Sequence, residues 1–320
     1  MLKIGRLSLK SNLILAPMAG VSDLPFRLLN RRFGCELGFV EMINCRSISH
    51  KSRRTRHMLS SSPSDRPLGL QLLGCEPRYI SRAIEALESY KFDLLDFNAA
   101  CPVKKVTRRG EGAGLLKEPE KLSSILKFMV KNSPVPVTVK IRTGWDKNSI
   151  NAVDIARCAE GAGVEAIFVH GRTKAQGYSG SVDYEAIKQV KEAVRIPVIA
   201  SGDIFSAFHA KRMFDLTGCD GIAVARGALG NPWIFRDIAS FLKEGKIPER
   251  PSLDEVIRVM SGHLDQCIDF YGERIGVVKF RKFFAWYTKG FRKVRPLREK
   301  SSKAKTRGEM LRIIGELPAH

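Results

Sequence analysis

Along roughly the first 240 residues, short apolar runs alternate with longer stretches in which apolar positions recur every three or four residues. That alternation is the signature of repeated βα units built around a parallel sheet. Eight runs carry it: Leu13–Met18, Leu37–Met42, Leu68–Leu72, Leu94–Asn98, Val135–Ile141, Ala166–His170, Pro197–Ser201 and Gly221–Ala225. Between them lie helix-like stretches, among them Pro77–Ser89, Pro119–Lys131, Ser149–Ala162, Tyr184–Val194 and Ser206–Leu216, several opening on Pro, Ser or Asp. Eight runs with seven such crossovers predict an α/β fold, a (β/α)8 TIM barrel, rather than an open doubly wound sheet. No G-x-G-x-x-G follows the first run, as a dinucleotide fold would require. Beyond about Leu242 the pattern changes, because Val256–Cys267 and Phe280–Trp286 have helical periodicity and no βα alternation follows. We therefore expect a barrel over residues 1–242 and a C-terminal all-helical domain over 243–320.

In a barrel of this kind the chemistry sits at the carboxyl ends of the strands. Those ends are polar: Met18 and Ala19, Glu41, Gln71, Asn98 with Cys101, Lys140 with Arg142, His170 with Arg172, Ser201-Gly202-Asp203, and Ala225-Arg226-Gly227. Singly each has a bland reading, Gln71 as a turn cap, Lys140 as half of an ion pair, His170 as a satisfied core imidazole. Together they would face one mouth, where unpaired burial is costly. The glycines and Arg226 after the last two runs suit a phosphate, which barrels often bind there with backbone amides. Cys101 stands just past the fourth run, on a loop whose turn Pro102 fixes, with Lys104, Lys105, Arg108 and Arg109 following. On this stretch alone, a packing cysteine and a reactive one are evenly balanced.

Composition narrows the partner. Lys and Arg number 54 against 33 Asp and Glu, a formal charge of +21 with a pI near 9.9, which points to a polyanion and first of all to nucleic acid. No apolar run approaches the ~18 residues of a membrane span and no signal peptide is evident, so a soluble, cytoplasmic protein is expected. The seven cysteines form no C-x-x-C pair, which indicates neither a disulfide framework nor a zinc site. From Lys279 to Arg312 there are thirteen basic residues against two acids, interleaved with Phe283, Phe284, Trp286, Tyr287 and Phe291. With the loop after Cys101 and with Arg53, Arg54 and Arg56, this makes three basic segments able to follow one phosphate backbone.

The chain resembles the tRNA-dihydrouridine synthases, most closely the bacterial B type. The resemblance rests on Ala16-Pro17-Met18-Ala19-Gly20-Val21-Ser22-Asp23, Gln71-Leu72, the block from Asn98 to Val106, Lys140-Ile141-Arg142 and His170-Gly171-Arg172-Thr173. It continues through Ser201-Gly202-Asp203-Ile204, the block from Arg226 to Trp233, and the block from Arg281 to Gly290. It implies an FMN-dependent barrel with a helical RNA-binding domain, reducing uridine in tRNA with NADPH (or NADH) as electron source. Carried over by position, Pro17, Met18, Ala19, Gln71, Lys140, His170, Ser201, Gly202, Asp203, Ala225 and Arg226 would hold FMN. Cys101 would be the proton donor, and Asn98, Arg142 and Arg172 would face the uracil. Hydride would add to C6 of the C5=C6 bond and Cys101 would protonate C5. No metal site, membrane or obligate protein partner is implied, and without a separate nucleotide domain the reductant would use the same mouth.

The chain departs from the family where Ala99-Ala100 replaces a frequent Met-Gly, Ser201 an Asn, Ala225 a Gly and Phe283 a His. The proton-donor role also sets two effects in opposition, since Lys104 and Lys105 favour the thiolate whereas a water-excluding pocket favours the thiol. Two other readings stand beside this one: a flavin barrel acting on a free pyrimidine, against which the basic tail weighs, and a catalytically silent RNA-binding or folding factor. The charge leads to a test by filter binding, in which affinity for tRNA falls about a thousandfold between roughly 50 and 200 mM salt if the basic segments grip the backbone. A flat salt dependence would remove them as the docking face.

Overall fold

The computed structural model describes residues 1–49 and 53–318, and in it the eight apolar runs form a closed parallel barrel. The side chains of residues 49, 53 and 54 are outside that description, so the expectation for Arg53 and Arg54 falls there too. The strands are β1 (Leu2–Ile4), β2 (Leu7–Leu9), β3 (Leu13–Leu15), β4 (Leu37–Phe39), β5 (Ile43–Asn44) and β6 (Leu68–Leu73). They continue with β7 (Leu94–Asn98), β8 (Val137–Arg142), β9 (Ala166–His170), β10 (Val198–Ser201) and β11 (Gly221–Val224). Pairing runs from β3 through β4, β6, β7, β8, β9, β10 and β11 and returns to β3, while β5 adds a short pairing to β6.

Successive residues of a strand point to opposite faces, and here the two faces bury into two separate apolar clusters. Ile14, Leu37, Phe39, Leu94, Ala166, Phe168, Ile199 and Ala223 fill the inside of the barrel. Their neighbours Leu13, Leu15, Val40, Leu95, Val139, Ile167, Val198 and Val224 pack outward against the helices. Inside, Phe39 and Phe168 meet edge to face with ring centroids 5.5 Å apart. They leave no room for a side chain on β6 at that level, since a Cβ on Gly69 would lie 2.3 Å from the Phe39 ring. Below them the antiparallel hairpin β1–β2 adds Leu2, Ile4 and Leu9 to the same cluster and stoppers the barrel. The runs legible in the sequence begin only at Leu13.

Helices follow the expected order. Pro77–Leu87, Pro119–Asn132, Tyr184–Ala193 and Ala207–Thr217 lie within two residues of their expected ends. The helix Ala152–Gly161 begins three residues late because Ser149 is held in a turn, its backbone N–H donating to the Asp146 carbonyl at 3.1 Å and its hydroxyl to the carboxylate at 2.8 Å. After Ile234–Glu244 the elements among the described residues are all helices, Leu253–Tyr271, Glu273–Tyr287, Arg295–Lys303 and Arg307–Gly315. Among the described residues no helix is long and apolar enough to cross a membrane.

The tail helices pack on the barrel's first helix, Leu24–Arg32, through the aromatics that sequence reading had set beside the basic charges. Phe280, Phe283, Phe284 and Tyr287 are buried, and Phe283 stacks on Phe26 with centroids 5.5 Å apart. Position 283 is therefore core. Polar links join the same surfaces: the Tyr271 hydroxyl donates to Asp23 at 2.9 Å, the Trp233 indole N–H to Glu255 at 2.6 Å, and Lys282 to the carbonyl of Gly20.

The helix Leu24–Arg32 is also tied to the barrel by a buried ion pair. Arg27 donates from Nε and Nη2 to Asp65 at 2.9 and 2.7 Å, Arg31 adds a third bond at 3.0 Å, and the Arg27 and Asp65 side chains are both fully buried. Removing one partner strands the other's charge without water, which typically costs about 3–5 kcal/mol. Asp65→Ala is expected to lose stability on that scale in urea denaturation, whereas Asp215→Ala, which breaks an exposed helix pair, should change it by less than about 0.5 kcal/mol.

Candidate active site

The inward positions of the strands change from apolar to polar on going from the hairpin to the opposite end. Gln71, Asp96 and Thr138 pair across three neighbouring strands, and Asn98, Lys140, His170 and Ser201 follow two residues further along theirs or at the strand ends, all on the inward-facing parity. They open into a cavity of about 440 Å3 at the carboxyl ends of the strands. Pro17, Met18, Ala19, Gln71, Lys140, His170, Ser201, Gly202, Asp203, Ala225 and Arg226 line it, and so do Asn98, Cys101 and Arg142. Of the strand-end residues singled out from sequence, Arg172 and Glu41 are not on the wall.

Arg172 is buried behind the wall, where its Nε donates to the Ser179 carbonyl at 3.0 Å and its Nη2 to Gly180 at 2.5 Å and to Asp203. Its Nε and Nη2 hold the 173–180 loop and Asp203, and its buried Nη1 has no partner. Arg142 does face the cavity, yet it also braces backbone, donating from Nε to the Ala100 carbonyl at 2.7 Å and from Nη1 to Thr173 and Gly177 at 3.0 and 2.9 Å. Glu41, another strand-end residue, accepts from the backbone N–H of Gly20 and so fixes the first loop from behind. Lys140 donates to the Ser201 hydroxyl at 3.0 Å, and that hydroxyl donates on to the Val169 carbonyl at 3.2 Å. A serine at 201 thus serves as acceptor and donor at once.

The loop bearing Cys101 is held from both sides. Asn98 Oδ1 accepts the backbone N–H groups of Ala100 and Cys101 at 3.0 and 2.8 Å. On the other side the Cys101 carbonyl accepts from the Ala113 N–H at 3.1 Å. Gly112, with φ of 58°, permits that approach, because a Cβ there would lie 2.9 Å from the Cys101 Cβ. Of the basic residues that follow, Arg109 pairs with Glu111 at 2.8 Å, while Lys104, Lys105 and Arg108 are exposed.

Burial governs the protonation states. It raises the Cys101 thiol above its ordinary value, and the opposing pull comes from the Val103 backbone N–H and from Arg142. The exposed lysines are not the deciding charges, so the contest seen in the sequence goes to the neutral thiol. Burial lowers Lys140 and raises Asp96, each offset in part by the charge of the other. His170 is pushed down to about 2 by burial and by the cations Lys140, Arg142, Arg172 and Arg226, leaving a neutral ring whose Nε2 is buried without a partner. Asp203, which accepts from Arg172 and from Arg226 at 2.7 Å, is held below its usual range, mainly by the Arg172 hydrogen bond.

Sequence reasoning missed two features of this site. Tyr178, 59% exposed, stands over the rim with the guanidinium carbons of Arg226 and Arg142 at 4.8 and 5.6 Å from its ring. It lies on a loop with no periodicity, and only the glycines at 177 and 180 mark the turn that carries it. Asp96 was legible as a carboxylate at an inward position of an apolar strand but drew no role.

Together the cavity offers neutral and cationic polar groups around a partly apolar interior, a setting for an anionic ligand, with a protonated thiol at its edge. The family profile described as dihydrouridine synthase matches residues 14–316. Among curated proteins the chain is 43% identical over 291 residues to a probable tRNA-dihydrouridine synthase of Rickettsia prowazekii, covering 91% of this chain and 89% of that protein. It is 39% identical over 289 residues to tRNA-dihydrouridine synthase B of Pasteurella multocida, covering 90% and 87%. Against the protein of that name from Pseudomonas aeruginosa the identity is 41% over 286 residues, with 89% and 86% covered.

The His170 state is open to measurement. The unfolded chain's histidine takes up its proton near pH 6.5 whereas the folded one does not, so the folded state is fully favoured above that pH and loses stability progressively as the pH falls toward about 2. In NMR spectra the His170 ring is expected to stay neutral from pH 8 to pH 5. A titration midpoint near 6.5 would contradict the assignment of its environment.

Proposed function

The chain belongs to the dihydrouridine synthase family, and on that premise we propose that it reduces the C5=C6 bond of uridines in tRNA, with FMN as the bound cofactor and NADPH or NADH as the reductant. The cavity fits FMN on its own chemistry. The buried, unpartnered Nε2 of His170 calls for a polar ligand atom, Lys140 and Arg226 offer positive charge on the wall, and Gly202 and Gly227 line it at the loops suited to phosphate. Gln71, Lys140 and His170 would hold the ring system, Ser201–Asp203 with Ala225 and Arg226 the phosphate end, and Pro17–Ala19 the near wall. When bound and reduced, FMN supplies the hydride that adds to C6.

Uracil's double bond is conjugated with the C4 carbonyl, so addition at C6 moves negative charge to C5 and O4. Lys140, Arg142 and Arg226 make the surroundings positive and stabilise that charge where water is excluded. Cys101 then gives its proton: the S–H bond breaks, the C5–H bond forms, and the thiolate recovers a proton from solvent, which its half-buried position allows. The observation that carries this reading is the thiol itself, kept neutral by burial at the edge of a cationic cavity. A thiolate nucleophile would need its cationic neighbours to outweigh that burial. Arg142 and Asn98 support the acid by fixing its loop as well as facing the substrate, and Arg172 acts through the rim loop and Asp203.

A uridine paired or stacked within tRNA cannot reach this depth, so the base turns out into the mouth while the surrounding phosphates are gripped outside. Lys104, Lys105 and Arg108 stand exposed beside Cys101, and the tail over residues 243–320 forms the RNA-binding domain with its charged surface. A cytoplasmic enzyme acting on tRNA, with no membrane or obligate protein partner, is the resulting picture. Cys101→Ala is expected to keep its flavin absorbance and tRNA affinity and to lose at least about a hundredfold in dihydrouridine formation by mass spectrometry of the tRNA. Undiminished product would sink the proton-donor assignment.

A further inference from the structure

Asp96 is a carboxylate inside the barrel, 1% exposed and below the cavity rather than on its wall. It lies between Gln71 and Thr138 on neighbouring strands at one level of the sheet, accepting from Gln71 Nε2 at 2.7 Å and from the Thr138 hydroxyl at 2.7 Å. The contacts continue upward. Asn98 Nδ2 donates to Gln71 Oε1 at 2.8 Å, and Asn98 Oδ1 accepts the backbone N–H groups of Ala100 and Cys101.

This chain of amides has only one consistent direction. Backbone N–H groups are donors, so the Asn98 atom facing them must be its oxygen, which turns its NH2 toward Gln71. Gln71 must therefore offer its oxygen to Asn98 and its NH2 to position 96, and that position must accept. A carboxylate meets the demand, and an apolar group would leave the buried Gln71 NH2 unsatisfied and free to rotate. We propose that Asp96 is a positioning residue for the proton donor: through Gln71 and Asn98 its acceptor oxygen sets the polarity of a relay that locks the Cys101 loop. The inference rests on the reading of Cys101 as the acid, and it adds a residue that touches neither substrate nor cofactor.

The test compares flavin-loaded Asp96→Asn and Asp96→Leu proteins. Asparagine keeps a carbonyl oxygen to turn toward Gln71 and so preserves the relay's direction without the charge, while leucine ends it. Two readouts are taken: single-turnover dihydrouridine formation, and iodoacetamide alkylation of Cys101 by peptide mass spectrometry with the exposed Cys158 as internal reference. Asp96→Asn is expected within about threefold of the parent protein in both. Asp96→Leu is expected to lose about tenfold in product formation at unchanged tRNA affinity, and to alkylate Cys101 at least about threefold faster relative to Cys158. If the leucine protein does not fold, Gln71→Met severs the relay one link later and is expected to show the same rise in Cys101 alkylation.

Parent-like alkylation in the variants that end the relay would overturn the proposal. An asparagine protein as impaired as the leucine one would overturn it too, by showing that the negative charge matters and not the direction of the hydrogen bonds. Failure of the underlying reading is distinguishable, because Cys101→Ala would then retain product formation while the alkylation ratios still decide whether Asp96 holds the loop.

Discussion

The inside of a closed barrel holds no bulk water, so every polar side chain that the two-residue period turns inward must be satisfied by another. That constraint shapes the whole molecule. At the hairpin end it is met by excluding polar groups, with Phe39 against Phe168 over Leu2, Ile4 and Leu9. At the other end it is met by mutual bonding, with Thr138 and Gln71 on Asp96, Asn98 on Gln71, and Lys140 on Ser201. The site is what remains where this network meets the cavity with some polar atoms still unpartnered, His170 Nε2 among them. The same dryness keeps the Cys101 thiol neutral and the His170 ring uncharged, so acid–base character here follows from depth in the barrel more than from any single neighbour.

The tail is joined to the barrel beside loops that line the cavity. Lys282 reaches the carbonyl of Gly20 while Glu41 takes its N–H, so the loop carrying Pro17–Ala19 is clasped between a tail helix and a barrel strand end. Gly230, within the block that follows Arg226, lies so close to the tail backbone that a Cβ would fall 2.3 Å from Trp286. Phe283 on Phe26 supplies the apolar part of the same junction, and a phenylalanine suits it because the position is fully buried. Residues quoted together as sequence blocks thus do different work, some facing the cavity and others joining two packed bodies.

Much of the fold was legible because a strand buried on both faces reads as an uninterrupted apolar run, and eight such runs in order leave few topologies. The wall residues were legible because strand ends have a fixed relation to the mouth. Legibility failed where meaning depended on distant partners. Arg172 belongs to the right motif, yet its guanidinium turns to carbonyls seven and eight residues later and to Asp203, which no local spacing announces. Tyr178 sits on an irregular loop. The aromatics of the tail alternate with basic residues in sequence, but helical geometry sorts Phe280, Phe283, Phe284 and Tyr287 to the buried side. The hairpin at the start is only three residues per strand, too short for its period to stand out.

That hairpin has a consequence in time as well as in space. With Leu2, Ile4 and Leu9 filling the barrel interior at one end, the cavity is confined to the other, at the carboxyl ends of the strands. On the proposed function the electron donor and the nucleotide would share that mouth in turn, and the protein would have to hold reducing power between two visitors that never meet.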